Sequence, residues 1–154
     1  MLYLATDHRG FELKEKIKSY LSEKKIVFED LGAFEYIETD DFPDYAEKLA
    51  KKVVEAESRN PEQSRGGIAL CGSGAGMSIA LNKFDGIRAG LAENPEMAEA
   101  MKKDDNINVL VVPADFVGEA DAFLMIEKFL FSSFKAEEKY QRRLDKIEKI
   151  EESN

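Results

Sequence analysis

Five short apolar runs punctuate the chain, and between them apolar residues recur near helical spacing. Leu2-Tyr3-Leu4-Ala5 reads as a first buried strand. Phe11, Leu13, Ile17, Tyr20 and Leu21 then mark one face of a helix whose remaining positions are mostly lysine and glutamate. Ile26-Val27-Phe28 is a second strand, and a loop with acids and one proline runs from Asp30 to Pro43. A helix is predicted from Tyr45 to Ala56, with Leu49, Ala50, Val53 and Val54 facing inward. The polar stretch Glu57–Ser64 has nothing to bury, and the pieces on either side are each too small to stand alone. It therefore reads as a long surface loop rather than a linker.

Ile68-Ala69-Leu70 is a third strand, closed by Cys71 and a glycine turn, Gly72-Ser73-Gly74-Ala75-Gly76, with a helical pattern from Met77. Gly86–Ala92 forms a fourth strand. Asn94-Pro95 opens another helix, because Asn suits the cap and Pro the first helical position. Asn108–Val112 is a fifth strand, apolar in four successive residues and so covered on both faces, as in a parallel sheet. An apolar-rich helix follows over Val117–Phe131. The last stretch carries Tyr140, Leu144, Ile147 and Ile150 on a narrow stripe among charges, which suits packing on a partner subunit.

Strand alternating with helix five times predicts an α/β fold: one domain over residues 1–154 holding a five-stranded doubly wound parallel sheet with helices on both faces. The order 2-1-3-4-5 is the common solution. It sets strands one and three side by side at the topological switch point, where ligands bind at the carboxyl ends. Asp7-His8 and Cys71-Gly72 then become neighbours.

The formal net charge of −9 disfavours nucleic-acid and anionic-membrane partners, both of which need a basic face. No run approaches the ~20 apolar residues of a membrane span, and MLYLATDHRG has neither the basic nor the apolar region of a signal peptide. A single cysteine excludes an internal disulfide and suits a reducing cytoplasm. One His and one Cys are too few for a soft-ligand metal site, so no metal is expected.

The glycine turn does not match the common phosphate or nucleophile fingerprints. TDHRG after the first strand is not G-x-G-x-x-G, and no G-x-x-x-x-G-K-[ST] occurs. Cys71 stands where a hydrolase elbow has glycine. What remains is a thiol beside free backbone N–H groups. A thiolate can act as nucleophile or as a proton-abstracting base, and the amides of Gly72–Gly76 can stabilise an oxyanion or enediolate. The plain alternative for Cys71 is a small core residue at a strand end. For His8 it is a loop histidine in water. For Asp104 and Asp105 it is a helix-end loop, and for Lys139, Arg142 and Arg143 a solvated helix face.

Asp7-His8 with Gly10-Phe11, Asp41-Phe42-Pro43-x-Tyr45-Ala46, the run Cys71–Phe84, and Gly86-Ile87-Arg88-Ala89 resemble the type B ribose-5-phosphate isomerases and their galactose-6-phosphate isomerase relatives. The likeness extends to Arg143, and its C-G-[ST]-G-x-G-x-S-I-A-x-N-K block is long and specific. It implies a cofactor-free aldose–ketose isomerase of a small sugar phosphate, a homodimer or homotetramer with sites at the subunit interface.

By that resemblance Cys71 matches the base that moves a proton between C1 and C2 through a cis-enediolate, and Ser73 the hydroxyl beside it. Gly72, Gly74, Ala75 and Gly76 match the anion-hole turn, and Asp7 and His8 the residues that hold sugar and phosphate. Three positions depart. Asp104-Asp105 stand where the family has His-Asn, so the ring-opening role falls on Asp104, with Asp105 beside the substrate. Pro113-Ala114-Asp115 replaces Gly-x-Arg and reverses the charge of a phosphate-binding arginine. Lys139 replaces one of two C-terminal arginines, and Arg143 matches the other. These departures leave open a different or unphosphorylated sugar, or a non-catalytic family member.

Overall fold

The computed structural model describes residues 1–153. Five parallel strands form one sheet: β1 (Leu2–Thr6), β2 (Phe28–Asp30), β3 (Gly67–Cys71), β4 (Ala89–Leu91) and β5 (Val109–Pro113). Six α-helices accompany them: α1 (Phe11–Glu23), α2 (Phe42–Arg59), α3 (Ala75–Leu81), α4 (Pro95–Asp105), α5 (Glu119–Phe131) and α6 (Glu138–Glu151). The doubly wound parallel sheet is as expected, but its order is β2-β1-β3-β5-β4 rather than 2-1-3-4-5. The two last strands exchange places for a physical reason. All five residues of β5 are buried, which suits an inner position, whereas β4 has only three residues and half-buried ends, which suits an edge. The exchange leaves β1 beside β3, so the switch point is where the sequence puts it.

Alternation along the strands divides the core in two. Leu2, Leu4, Ile68, Leu70, Leu110 and Val112 pack against Ile17 and Leu21 of α1, Ala98 of α4 and Met125, Ile126 and Phe129 of α5. Tyr3, Ala5, Ala69, Cys71, Val109 and Val111 face Leu49 and Val53 of α2 and Met77 and Leu81 of α3. A period of two sends neighbours to opposite faces, and it puts Cys71 on the α2–α3 side.

Element ends follow local chemistry. The α4 cap is Asn94, whose side chain accepts from the Met97 amide at 2.8 Å, and Pro95 fills the first helical position. Helix α2 starts at Phe42, three residues before the expected Tyr45, because Pro43 fits a first turn as well as it fits a loop. It runs on to Arg59, which shortens the polar loop. The helix after the glycine turn starts at Ala75 rather than Met77. Asp104 and Asp105 are the last residues of α4, not a loop beyond it.

Under β2 lies a buried cation. Lys14 is fully buried, and its Nζ donates to Asp30 Oδ1 and Oδ2 at 2.6 and 2.7 Å and to the Ala33 carbonyl at 2.7 Å. Lys18 also reaches Asp30, at 2.9 Å. Burial alone would raise the Asp30 carboxyl, but the two lysines outweigh it and hold the group below its ordinary 3.8. This network fixes the start of the loop that returns to α2 past the carboxyl ends of the strands.

Among the described residues, no helix is long and apolar enough to cross a membrane.

Candidate active site

The carboxyl ends of β1 and β3 bring their loops together. Asp7 follows β1 directly, and its Oδ1 accepts from the amides of Arg9 and Gly10 at 3.1 and 3.4 Å, capping a single 3₁₀ turn, His8–Gly10. That leaves Oδ2 free to face β3, where Cys71 Sγ donates to it at 3.0 Å. The thiol is 8% exposed. Burial pushes it up to about 12, and the Asp7 carboxylate adds to this by hydrogen bond and by charge. The amides of Gly74 and Gly72, aimed at the sulfur, pull the other way. The resting sulfur is therefore a thiol held by a carboxylate, not the free thiolate that the sequence suggested.

The turn after Cys71 is shaped by its glycines. Gly74 adopts φ +74°, a left-handed conformation that side chains resist. Gly72 is needed for space, since a Cβ there would collide with Nε and Cζ of Arg9. Ser73 is exposed, and its Oγ accepts from the Ala75 amide at 3.4 Å. The β5 end closes the other side: the Ala114 amide donates to the Cys71 carbonyl at 2.9 Å and the Asp115 amide to the Gly72 carbonyl at 3.0 Å.

His8 is anchored by Asp40, which the sequence offers only as one of a pair of loop acids, Asp40-Asp41, most simply read as solvated. Asp40 Oδ1 lies 2.6 Å from His8 Nδ1 and accepts from the His8 amide at 3.1 Å. The Asp40 side chain is 7% exposed, and among the described residues its Oδ2 has no hydrogen-bond partner. A buried carboxylate on Nδ1 fixes the ring so that Nε2 is the nitrogen left to meet a ligand. Tyr45 stands nearby, its hydroxyl lifted to about 12 by burial and by the Asp40 carboxylate.

This carboxyl-edge constellation can be set beside known proteins. The model of the Ribose/Galactose Isomerase family matches residues 2–147. The chain belongs to that family. Among solved structures, ribose-5-phosphate isomerase B from Mycoplasma genitalium, with ribulose-5-phosphate bound, superposes with a TM-score of 0.90 at 33% identity, covering 99% of this chain and 97% of that one. A ribose 5-phosphate isomerase from Thermotoga maritima gives a TM-score of 0.88 at 40% identity over 96% and 97% of the two chains. A putative sugar phosphate isomerase of Rickettsia bellii is 37% identical over 96% of each chain.

Family membership makes the placement of the remaining candidates informative. Asp7, His8, Cys71, Gly72, Ser73, Gly74, Ala75 and Gly76 converge at the carboxyl edge. Asp104, Asp105, Lys139 and Arg143 do not join them within the chain. Helix α4 starts just after the carboxyl end of β4 and runs back, so its last turn lies near the start of β5, at the opposite edge. There Asp104 pairs with Lys135 at 3.2 Å. The Lys135 amide bonds the Lys103 carbonyl at 2.8 Å, which pins the approach to α6 at that same edge. On α6, Lys139 and Arg143 lie over the Tyr140 ring at 4.6 and 5.8 Å.

Asp115 sits where the sequence places it, on the β5 end, but its charge is matched. Arg9 Nη2 donates to Asp115 Oδ2, 106 positions along the chain. Sequence reasoning passed over Arg9 and gave Asp40 no part beside His8. Their one visible signal is a charge on the loop after a first or second strand of a doubly wound sheet, where ligands meet the fold.

Proposed function

We propose that this chain is an aldose–ketose isomerase of a small sugar phosphate, ribose 5-phosphate and ribulose 5-phosphate being the favoured pair, with Cys71 as the proton-carrying group. The observation that carries the reading is the Cys71–Asp7 contact beneath the amides of Gly72 and Gly74. Asp7 takes the thiol proton, and the thiolate so formed removes the proton from C2 of the open-chain aldose. The electron pair moves onto the carbonyl oxygen at C1 and gives a cis-enediolate, whose developing charge the turn amides offset. The protonated sulfur returns its proton to C1, O2 loses its hydrogen as the ketone forms, and the Ser73 hydroxyl is placed to pass a proton between O2 and O1. His8, fixed by Asp40, meets the hydroxyls of the sugar.

Lys139 and Arg143 lie at the far edge of their own subunit, so in this reading they serve a neighbouring copy's site within a homo-oligomer. The general resemblance supports this arrangement, as does the separation of the two groups of residues.

The test is solvent isotope exchange. With ribose 5-phosphate in deuterated water, the wild type should form ribulose 5-phosphate and exchange the transferred hydrogen, and Cys71→Ala should do neither. A wild-type protein without exchange on any pentose or hexose phosphate would sink the proposal.

A further inference from the structure

The rim around Cys71 is acidic. Asp7, Asp40 and Asp115 all lie on it, and in the outer hollow between α1 and the loop after β5 Glu12 and Glu119 join Arg9, Lys16 and Asp115. Lys16 is already paired with Glu119 at 2.9 Å. A substrate that carries a phosphate dianion needs a cation facing it in such a place. Taking the isomerase reading as the premise, we infer that Arg9 is that cation, the residue that selects for an anionic group on the sugar, and that Asp115 is the counter-ion holding it ready over the glycine turn.

Several features of Arg9 fit that role. Its amide is fixed by Asp7, the residue that also holds the Cys71 thiol, so its main chain is registered to the reacting centre. Its guanidinium lies on Gly72, the first residue of the turn, where any side chain would displace it. Asp115 engages only Nη2, and among the described residues no other side-chain hydrogen bond is made by Arg9. A guanidinium has five donors in a planar fork that suits phosphate. Most of that fork therefore remains available. The pair is also open to water. The Arg9 side chain is 54% exposed, and half-exposed ion pairs contribute little to folding and yield readily to a competing dianion. Asp115 thus moderates the site without closing it.

The inference is tested with Arg9→Gln, Arg9→Lys and Asp115→Asn, each checked for an unchanged far-ultraviolet spectrum. Two readouts are needed: kinetics on ribose 5-phosphate, and calorimetric binding of inorganic phosphate, which requires no turnover. Arg9→Gln should raise KM and weaken phosphate binding by about tenfold or more, with kcat changed far less, because a charge-assisted fork is lost from binding alone. Arg9→Lys should recover part of the loss. Asp115→Asn should tighten phosphate binding, since it removes the competing carboxylate. If Arg9→Gln leaves both quantities within about twofold, as for an incidental surface pair, the assignment is overturned while the isomerase reading stands. If the wild type binds phosphate through Arg9 but isomerises nothing, the anion site survives and the isomerase reading falls. A wild type that neither binds phosphate nor turns over removes both.

Discussion

Replacing Asp7 with Asn separates the two effects of this carboxylate on Cys71. The amide keeps the shape of the side chain and an oxygen for the Arg9 and Gly10 amides, so the turn that follows β1 should survive. The charge facing Sγ at 3.0 Å is lost. The thiol now lies at about 12 against an ordinary 9.0, which makes ionisation in place about 4 kcal/mol harder than in water. Burial is the largest cause and remains in the variant. Removing a like charge at this range lowers a pKa by about one to three units, so at fixed pH the thiolate population should rise about ten- to a thousand-fold. Cys71 is the sole cysteine, so iodoacetamide alkylation reports on it alone. The pH midpoint of alkylation should fall in Asp7→Asn, and the rate near neutrality should increase. Isomerisation should move the opposite way, falling about a hundredfold or more, because the group that accepts the thiol proton is gone. A variant thus made more reactive and less active would separate proton acceptance from mere thiol acidity. A wild-type thiol that titrates at or below its ordinary 9.0 would refute the account. So would an Asp7→Asn protein that alkylates no faster than wild type.

Two further outcomes follow from packing and placement. Lys14→Met should lower stability in urea by about 3 kcal/mol, the low end for breaking a buried pair because Lys18 still reaches Asp30. Asp30 is depressed in the folded state, so its contribution is present above its ordinary 3.8 and lost as pH falls through the lower folded value, and the gap between wild type and variant should narrow there. Refolding a mixture of Cys71→Ala and Arg143→Ala subunits should restore activity, to about a quarter of wild type if dimers pair at random and each mixed dimer has one intact site; no recovery would mean that both residues must belong to one subunit.

What the sequence disclosed depends on how far apart the interacting residues lie along it. The β5 run is apolar from end to end, and so its burial could be read directly. Whether it lies inside or outside β4 depends on the length of β4, and only the fold reveals that three residues of it pair. The Cys71 turn is contiguous, so its chemistry was visible as a block. Asp7 met it through one topological rule, the adjacency of the first and third strands. Arg9–Asp115 and His8–Asp40 span 106 and 32 positions, and nothing local says which base each of those acids will meet. The thiol's protonation state was also out of reach, because burial and the direction of the Asp7 oxygens decide it, and neither has a sequence signature.

The position of Asp104 and Asp105 was closer to hand than that of Arg9. A helix that leaves the carboxyl end of one parallel strand must end near the amino end of the next, so the last turn of α4 has to lie across the sheet from Cys71. Five residues of β3 span about 17 Å, more than a side chain on α4 or α6 bridges by turning. Any part for Lys139 and Arg143 in the chemistry of Cys71 must therefore come from another copy of the chain. The carboxyl rim has the surface for one: Phe34, Tyr36 and Phe116, on the loops after β2 and β5, are 74%, 60% and 75% exposed. Three large aromatic side chains left in water on these loops are costly in a monomer, and a neighbouring subunit laid over that rim would cover them while delivering its own α6 arginine to the sugar. The same contact would dry the pocket, and a drier pocket strengthens each of the short-range charge effects assigned here to Asp7, Arg9 and the turn amides.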